Sequence, residues 1–362
     1  MRIANHLDRP RLAGMDTQML AQAGPARPWE LTGTDFPVLG DRDEQLRYIA
    51  QYAALAPSTH NTQPWVFAVA DGALEVFANR TRSLPICDPR DRELTISSGA
   101  AVQFAWLAGR SYGYEVAVDL LPDRRNPDLL ARIRLGEPRL ACWAESRRFQ
   151  AIPDRHTNRS AVKPLTPTKL RTLERLASLA RGHSAVFRLV ADGIVIGKVA
   201  ELVARADRIQ MADSSCRREL ARWVRPQVAG DGMSLASFGL PDSWSHPAAT
   251  LLQRLDAGRV TARKHEALIR SAPWLGLLAC AEDTPISWLS TGRALADILL
   301  ELTSNGLVAS FANQPIEVPT LRSELAKSLG EPGQPQMLMR IGMADPVAPA
   351  GRRDIEQLFV TS

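Results

Sequence analysis

Two sets of residues carry side chains that could do chemistry. The first is the run APSTHNTQPW at 56–65, in which Ser58, Thr59, His60, Asn61, Thr62 and Gln63 lie between Pro57 and Pro64. Two prolines restrict the backbone, so the donors and acceptors between them are preorganised for a ligand. A flat heteroaromatic with carbonyls and ring nitrogens suits such a rim, and a plain helix-to-strand loop is the competing reading. The second set is cationic. Arg155 and Arg159 flank Thr157 in RHTNRS at 155–160, and Arg352 and Arg353 adjoin near the C-terminus. Guanidinium groups around a hydroxyl bind a phosphate bidentately and with charge assistance.

Other chemistries lack their signatures. There is no GxGxxG and no GxxxxGK[ST], so the dinucleotide fingerprint and the P-loop are missing. Neither GxSxG nor HExxH occurs. Cys87, Cys142, Cys216 and Cys280 are widely spaced, without a CxxC or a Cys/His metal pattern, and are expected as free thiols in a reducing compartment. No metal site is expected. His6, His183, His246 and His265 read as surface or core residues. No catalytic side chain is expected, and the chemistry falls to a bound cofactor.

The chain has 362 residues, 45% of them apolar and 23% charged, enough for a sizeable core in one large or two ordinary domains. The net charge of +5 comes from scattered basic residues, which argues against a nucleic-acid stripe. The N-terminus lacks an apolar h-region, and no segment reaches the roughly 20 apolar residues of a membrane span, so a cytoplasmic protein without membrane contact is expected.

The elements that must position these residues follow from periodicity. Residues 1–40 hold four prolines and no sustained pattern, as in a loose arm. A helix is predicted from DRDEQLRYIAQYAALA, capped by Asp41 or Asp43 and stopped by Pro57. WVFAVADGALEVFAN predicts a hairpin around Asp71 and Gly72. A central helix over 92–110 and strands YEVAVDLLPD and LLARIRLG complete a first half, 41–150. The second half, 151–362, holds a helix from Pro167, strand AVFRLVAD, a helix over 194–211, strand WLGLLACAE, a helix over 288–305, another over 321–329 and strand QMLMRIGMA. Pro226 to Pro247, rich in glycine and holding Phe238 and Trp244, reads as one long loop and a candidate lid. The order of elements in the two halves is similar.

APSTHNTQPW resembles the A-P-S-x-x-N-x-Q-P-W signature of the nitroreductase superfamily. RHTNRS resembles its R-x-S/T-x-R anion motif. GLVASFANQPIEVPTLRSELAKSLG and PQMLMRIGMADPVAPAGRRDIEQLF are similar to the C-terminal half of the Acg-type members. The resemblance covers about 41–360. It implies an α+β nitroreductase-like fold whose two related halves form an intramolecular pseudo-dimer, monomeric unless pseudo-dimers associate further. It implies one FMN per chain, because only the first half carries the polar loop and only the second carries the arginines. Pro57, Ser58, Thr59, Asn61, Gln63 and, more weakly, Gln314 would serve the flavin ring and ribityl rim. Arg155, Thr157, Arg159 and Arg352 or Arg353 would hold the phosphate. The implied activity is hydride transfer from NAD(P)H through FMN to a nitroaromatic, quinone or similar small acceptor. The alternatives are a non-enzymatic FMN store with a lid over the flavin and a specialised dehydrogenase acting on a peptide or heterocyclic intermediate.

Overall fold

The computed structural model describes Trp29, Leu31, residues 33–235 and residues 240–360. Most of the expected arm, and 236–239 within the candidate lid, lie outside the described residues.

The first half is close to what its local signals dictate. Helix α1 (Arg42–Ala53) starts at Asp41, whose side chain accepts from the Glu44 amide while Glu44 accepts from the Asp41 amide, a reciprocal capping box. Strands β1 (Trp65–Ala70) and β2 (Ala73–Ala78) are joined by Asp71 and Gly72, both at positive φ, as a two-residue hairpin turn requires. Helix α2 (Arg92–Ser111), strands β3 (Tyr114–Leu120) and β4 (Leu129–Pro138) and helix α3 (Trp143–Gln150) follow.

The second half runs α4 (Pro167–Arg181), β5 (Val186–Val190), α5 (Gly193–Ala212), α6 (Ser214–Arg222), α7 (Ser245–Arg254), α8 (Gly258–Arg270), β6 (Trp274–Cys280), α9 (Pro285–Ser304), β7 (Val308–Phe311), α10 (Gln314–Glu317), α11 (Pro319–Leu329) and β8 (Gln334–Gly342). Helices α3, α6, α7, α8 and α10 and strand β7 are additions to the predicted elements. The predicted long loop is shorter than expected, because α7 already includes Pro247 and 3-10 turns occupy Gln227–Ala229 and Asp242–Trp244.

Both sheets are antiparallel and share one plan. The orders are β1-β2-β4-β3 and β5-β6-β8-β7, with a long helix between the second and third strand of each. The halves differ at one connection above all. Where Asp71 and Gly72 turn β1 into β2, the second half inserts all of α5 to α8 between β5 and β6.

The two long helices pack on each other at glycines. Both have 20 residues, and Gly99 in α2 and Gly292 in α9 each lie seven residues past the helix start. A Cβ at Gly99 would fall on the Leu289 carbonyl, and one at Gly292 on the Ile96 carbonyl. Only glycine allows the two backbones this close. The cores interlock there: Ala296 and Leu300 of α9 join the first-half core, and Ile96 of α2 joins the second. Among the described residues, no helix is long and apolar enough to cross a membrane.

The glycine crossing gives a direct test. Gly292→Ala should cost about 1–3 kcal/mol through overpacking, read as a lower urea midpoint with an unchanged slope. An unchanged midpoint would mean that the helices are not held at backbone contact.

Candidate functional site

The polar loop leaves α1 and passes through left-handed backbone three times, with φ of 50° at His60, 55° at Asn61 and 48° at Gln63. Such conformations are costly for residues other than glycine and persist where surrounding contacts fix them. The fixing contacts are present. Ser58 Oγ accepts from the Gln63 amide at 2.9 Å. Asn61 Nδ2 donates to the carbonyls of Gly232 and Gly351, each at 3.0 Å, and its Oδ1 accepts from Arg352 at 2.9 Å. Gln63 Nε2 donates to the Gly230 carbonyl at 2.9 Å, and its Oε1 accepts from the Arg353 amide at 2.9 Å.

These bonds separate the expected ligands. Pro57, Ser58 and Thr59 line a cavity of about 730 Å³, as does His60, and the volume suits a cofactor with a substrate beside it. Asn61 and Gln63 are outside its wall. Their side chains instead clamp two distant segments, 230–232 and 351–353. Gly230 and Gly232 have φ of 73° and 74°, and a Cβ on either would come within 2.8 Å of the Arg352 or Trp223 carbonyl. Asp231 between them pairs with Arg82 and with Arg225. The clamped segment continues into Met233, Leu235 and Leu240, which form part of the cavity's apolar wall with Leu220, Val224 and Leu252.

The cationic residues form two groups. Thr157, Arg159 and Arg340 line the cavity, as do Ser310 and Gln314. Burial pulls Arg159 and Arg340 down to about 10. Arg340 reaches the carbonyls of Ser160 and Arg159. The other group lies deeper. Burial also pulls Arg155 down to about 10. Arg352, 7% exposed, is pulled well below its usual value by burial and then by the charge of Arg155. Its Nη2 donates to the carbonyls of Leu55 and Ala56 at 3.0 and 3.1 Å. His156 is held near 4 by burial and then by Arg155 and Arg352, and His60 near 4 by burial and then by Arg159, so both are neutral at pH 7. Trp29 closes the outside, with its ring 4.6 Å from the Arg352 guanidinium and edge-on to His156. Arg353 turns the other way, donating to the Gln357 carbonyl.

None of the ion pairs among the described residues involves Arg155, Arg340 or Arg352. Arg155 Nε, Arg352 Nε and His156 Nδ1 are buried without a hydrogen-bond partner. Buried cations beside one another, with donors unused, are expensive. An anion with several acceptor oxygens satisfies them, so the donor set fits a phosphate.

His60 was named within the polar loop, but Arg340, His156 and Trp29 were not among the expected site residues. Arg340 had a signal: it interrupts the apolar run QMLMRIGMA, and β8 is buried along nearly its whole length. A second cavity, of about 540 Å³, lies beside α11. One of its cations, Arg322, is paired with Asp283. All four cysteines are free, and Cys87 and Cys216 stand in the wall of the larger cavity. Among the described residues, no group of three or more His, Cys, Asp or Glu could hold a metal.

The fold and site define an α+β protein of two like-ordered sheets, with a buried cationic cluster beside a large half-apolar cavity. The chain belongs to the nitroreductase family. A Mycobacterium tuberculosis protein provisionally named an NAD(P)H nitroreductase is 30% identical over 325 residues, covering 87% of this chain and 91% of its own length. Acg of the same organism, named in the same way, is 26% identical over 341 residues, covering 87% and 95%. PigM of a Serratia species, also so named, is 25% identical over 345 residues, covering 88% and 94%. No family model matches the chain. Two solved structures align at lower similarity, each with a TM-score of 0.38 and 18% identity. An FMN- and NADPH-dependent nitroreductase covers 59% of this chain and 98% of its own. Iodotyrosine deiodinase bound to FMN covers 57% and 94%.

One carboxyl in the cavity wall generates a pH prediction. Glu317 accepts from Gln210 at 2.6 Å, and burial, then the charge of Glu93, pushes its pKa up to about 8. A raised carboxyl pKa favours folding below the unfolded value near 4.5 and loses that contribution as pH rises towards 8. Wild-type stability should therefore fall relative to Glu317→Gln between pH 5 and 8.5, read from urea midpoints. A constant difference would show that Glu317 is ionised in the folded protein.

Proposed function

We propose that this protein is an FMN-dependent oxidoreductase that takes reducing equivalents from NAD(P)H and passes them to a small organic acceptor. The observation that carries the proposal is the buried set of Arg155, Arg352 and His156, whose unpartnered nitrogens suit the terminal phosphate of FMN. The relatives' names agree with this reading. When bound, the flavin supplies the hydride chemistry.

The protein's own residues bind, orient and exclude water. Arg155 and Arg352 take the phosphate, with Thr157 beside them as a hydroxyl donor. Ser58, Thr59, Arg159, Arg340 and Gln314 present polar groups to the remainder of the cofactor. Asn61 and Gln63 act indirectly, by holding 230–232 so that Met233, Leu235 and Leu240 wall off the apolar side. Water exclusion of this kind strengthens every electrostatic contact inside. The described residues 226–235 and 240–247 thus act as a cover.

One flavin per pseudo-dimer follows from the asymmetry of the halves. The connection from α1 to β1 spans 54–64, whereas that from α4 to β5 spans only 182–185. His183 in the short connection is bonded to Asp297 at 2.9 Å.

The pinned cover favours a second reading, flavin sequestration without turnover. The two separate cleanly: NADPH bleaches the flavin of an oxidoreductase, and menadione or nitrofurazone restores its colour, whereas a sequestering protein is reduced by dithionite alone.

Purified protein should be yellow and release one FMN per chain on denaturation. Arg155→Met should weaken FMN binding at least about tenfold, the worth of a charge-assisted hydrogen bond. The same change should raise the melting temperature of the flavin-free protein, because it removes an unpaired buried charge. Stoichiometric FMN in the variant at micromolar protein would overturn the phosphate assignment.

A further inference from the structure

One titratable pair in the cavity has no part in holding the cofactor. His265 is on α8 and Asp207 on α5. His265 Nδ1 lies 2.9 Å from Asp207 Oδ2, and Asp207 is buried. Gln314 Nε2 lies 3.4 Å from the other carboxylate oxygen, Oδ1, and 3.2 Å from His265 Nδ1, so the carboxylate at 2.9 Å is the nearer partner of that ring nitrogen. All three residues line the cavity. With Nδ1 donated to the carboxylate, Nε2 is the ring nitrogen that no described residue engages. The His265 side chain is 31% exposed, and Val260, Leu252 and Leu268 stand beside it in the wall.

A similar pair elsewhere provides the contrast. His183 and Asp297 are also 2.9 Å apart, but His183 is only 13% exposed, Asp297 lies within reach of Arg148, and neither lines the cavity. That pair is a structural contact. The His265 pair keeps a buried carboxylate behind an imidazole whose far nitrogen is available to a ligand. A carboxylate on one ring nitrogen fixes the orientation of the ring and leaves the other to exchange a proton.

We propose that His265, oriented by Asp207, is the proton donor to the hydride acceptor, written here for a quinone, one of the acceptors that the family resemblance implies. The inference rests on the oxidoreductase reading above. The apolar wall takes a planar ring, and one carboxylate-backed imidazole meets one carbonyl oxygen. Reduction of a quinone to a hydroquinone needs one hydride and one proton. The hydride brings both electrons, drawn from NAD(P)H. The proton leaves Nε2 of the imidazolium for the quinone oxygen. The ring remains neutral, with its Nδ1 proton still on Asp207, and solvent restores the Nε2 proton. Asp207 is a positioning residue.

The test uses flavin-loaded wild type, His265→Gln and Asp207→Asn in stopped flow, with reduction by NADPH and reoxidation by menadione measured separately. General acid catalysis is typically worth 10²–10⁴-fold. The ratio of reoxidation to reduction rates should fall at least about tenfold in His265→Gln. In Asp207→Asn the ring ¹⁵N spectrum of His265 should lose the fixed Nδ1-protonated signature of wild type, and the ratio should fall by less. An unchanged ratio in His265→Gln, or an equal loss in both steps, overturns the proposal. If Asp207→Asn does not fold, His265→Gln decides alone. A wild-type flavin that NADPH cannot reduce sinks the oxidoreductase reading, whereas normal reduction with menadione turnover unaffected in His265→Gln sinks only this inference.

Discussion

The site depends on positive charge buried without an anion of the protein's own. Arg155 and Arg352 approach each other from opposite ends of the second half, and Nη2 of Arg352 donates to the carbonyls of Leu55 and Ala56 just past the end of α1. Helix C-termini carry unpaired carbonyls and a partial negative charge. They therefore tolerate a guanidinium and offset part of its desolvation without neutralising it. What is left over is a standing preference for an anionic ligand, built from segments that only the complete fold brings together.

The shared strand order of the two halves shows where such a place arises, and their asymmetry sets the two sides apart. Two halves with the same strand order pack through Gly99 and Gly292, so equivalent surfaces face each other across the helix pair. Two connections then break the equivalence. The first half closes β1 onto β2 in two residues and keeps a long polar loop before β1. The second half shortens the loop before β5 and places α5 to α8 between β5 and β6. The inserted helices bring Asp207, Gln210, Leu220 and His265 to the cavity, so the wall facing the polar loop has no counterpart on the other side.

Much of this was legible in the sequence, for physical reasons that differ from element to element. The capping box at Asp41, the Asp71–Gly72 turn and the two long helices are local: their signals and their causes lie within a few residues. Of the inserted helices, α6 to α8 gave weaker signals because they bury little apolar surface. The only buried residues of α6 are Glu219 and Ala221, and those of α8 are Gly258, Ala262 and Ile269. Strand β7 is four residues long, too short for an alternation to declare itself. The loop at 57–63 was readable as a polar, proline-bounded turn, but the direction of each side chain was not. Asn61 and Gln63 find their acceptors 167 to 290 residues away, and nothing near them in the chain indicates it. Arg340 was readable in principle, since a lone cation in a buried strand must serve something.

The clamp formed by Asn61 and Gln63 also links two events that otherwise look independent. Asn61 holds the Gly232 carbonyl through Nδ2 and Arg352 through Oδ1. Gln63 joins the Gly230 carbonyl to the Arg353 amide in the same way. Opening the wall at 230–235 must break or strain bonds on the side chains that orient the deep arginines. An anion that fixes Arg352 restrains Asn61 in turn. By linkage, whatever free energy the anion contributes towards closing the wall, the closed wall returns as affinity for the anion. A site built this way grips an anion through the wall, because Asn61 holds both the 230–232 segment and Arg352.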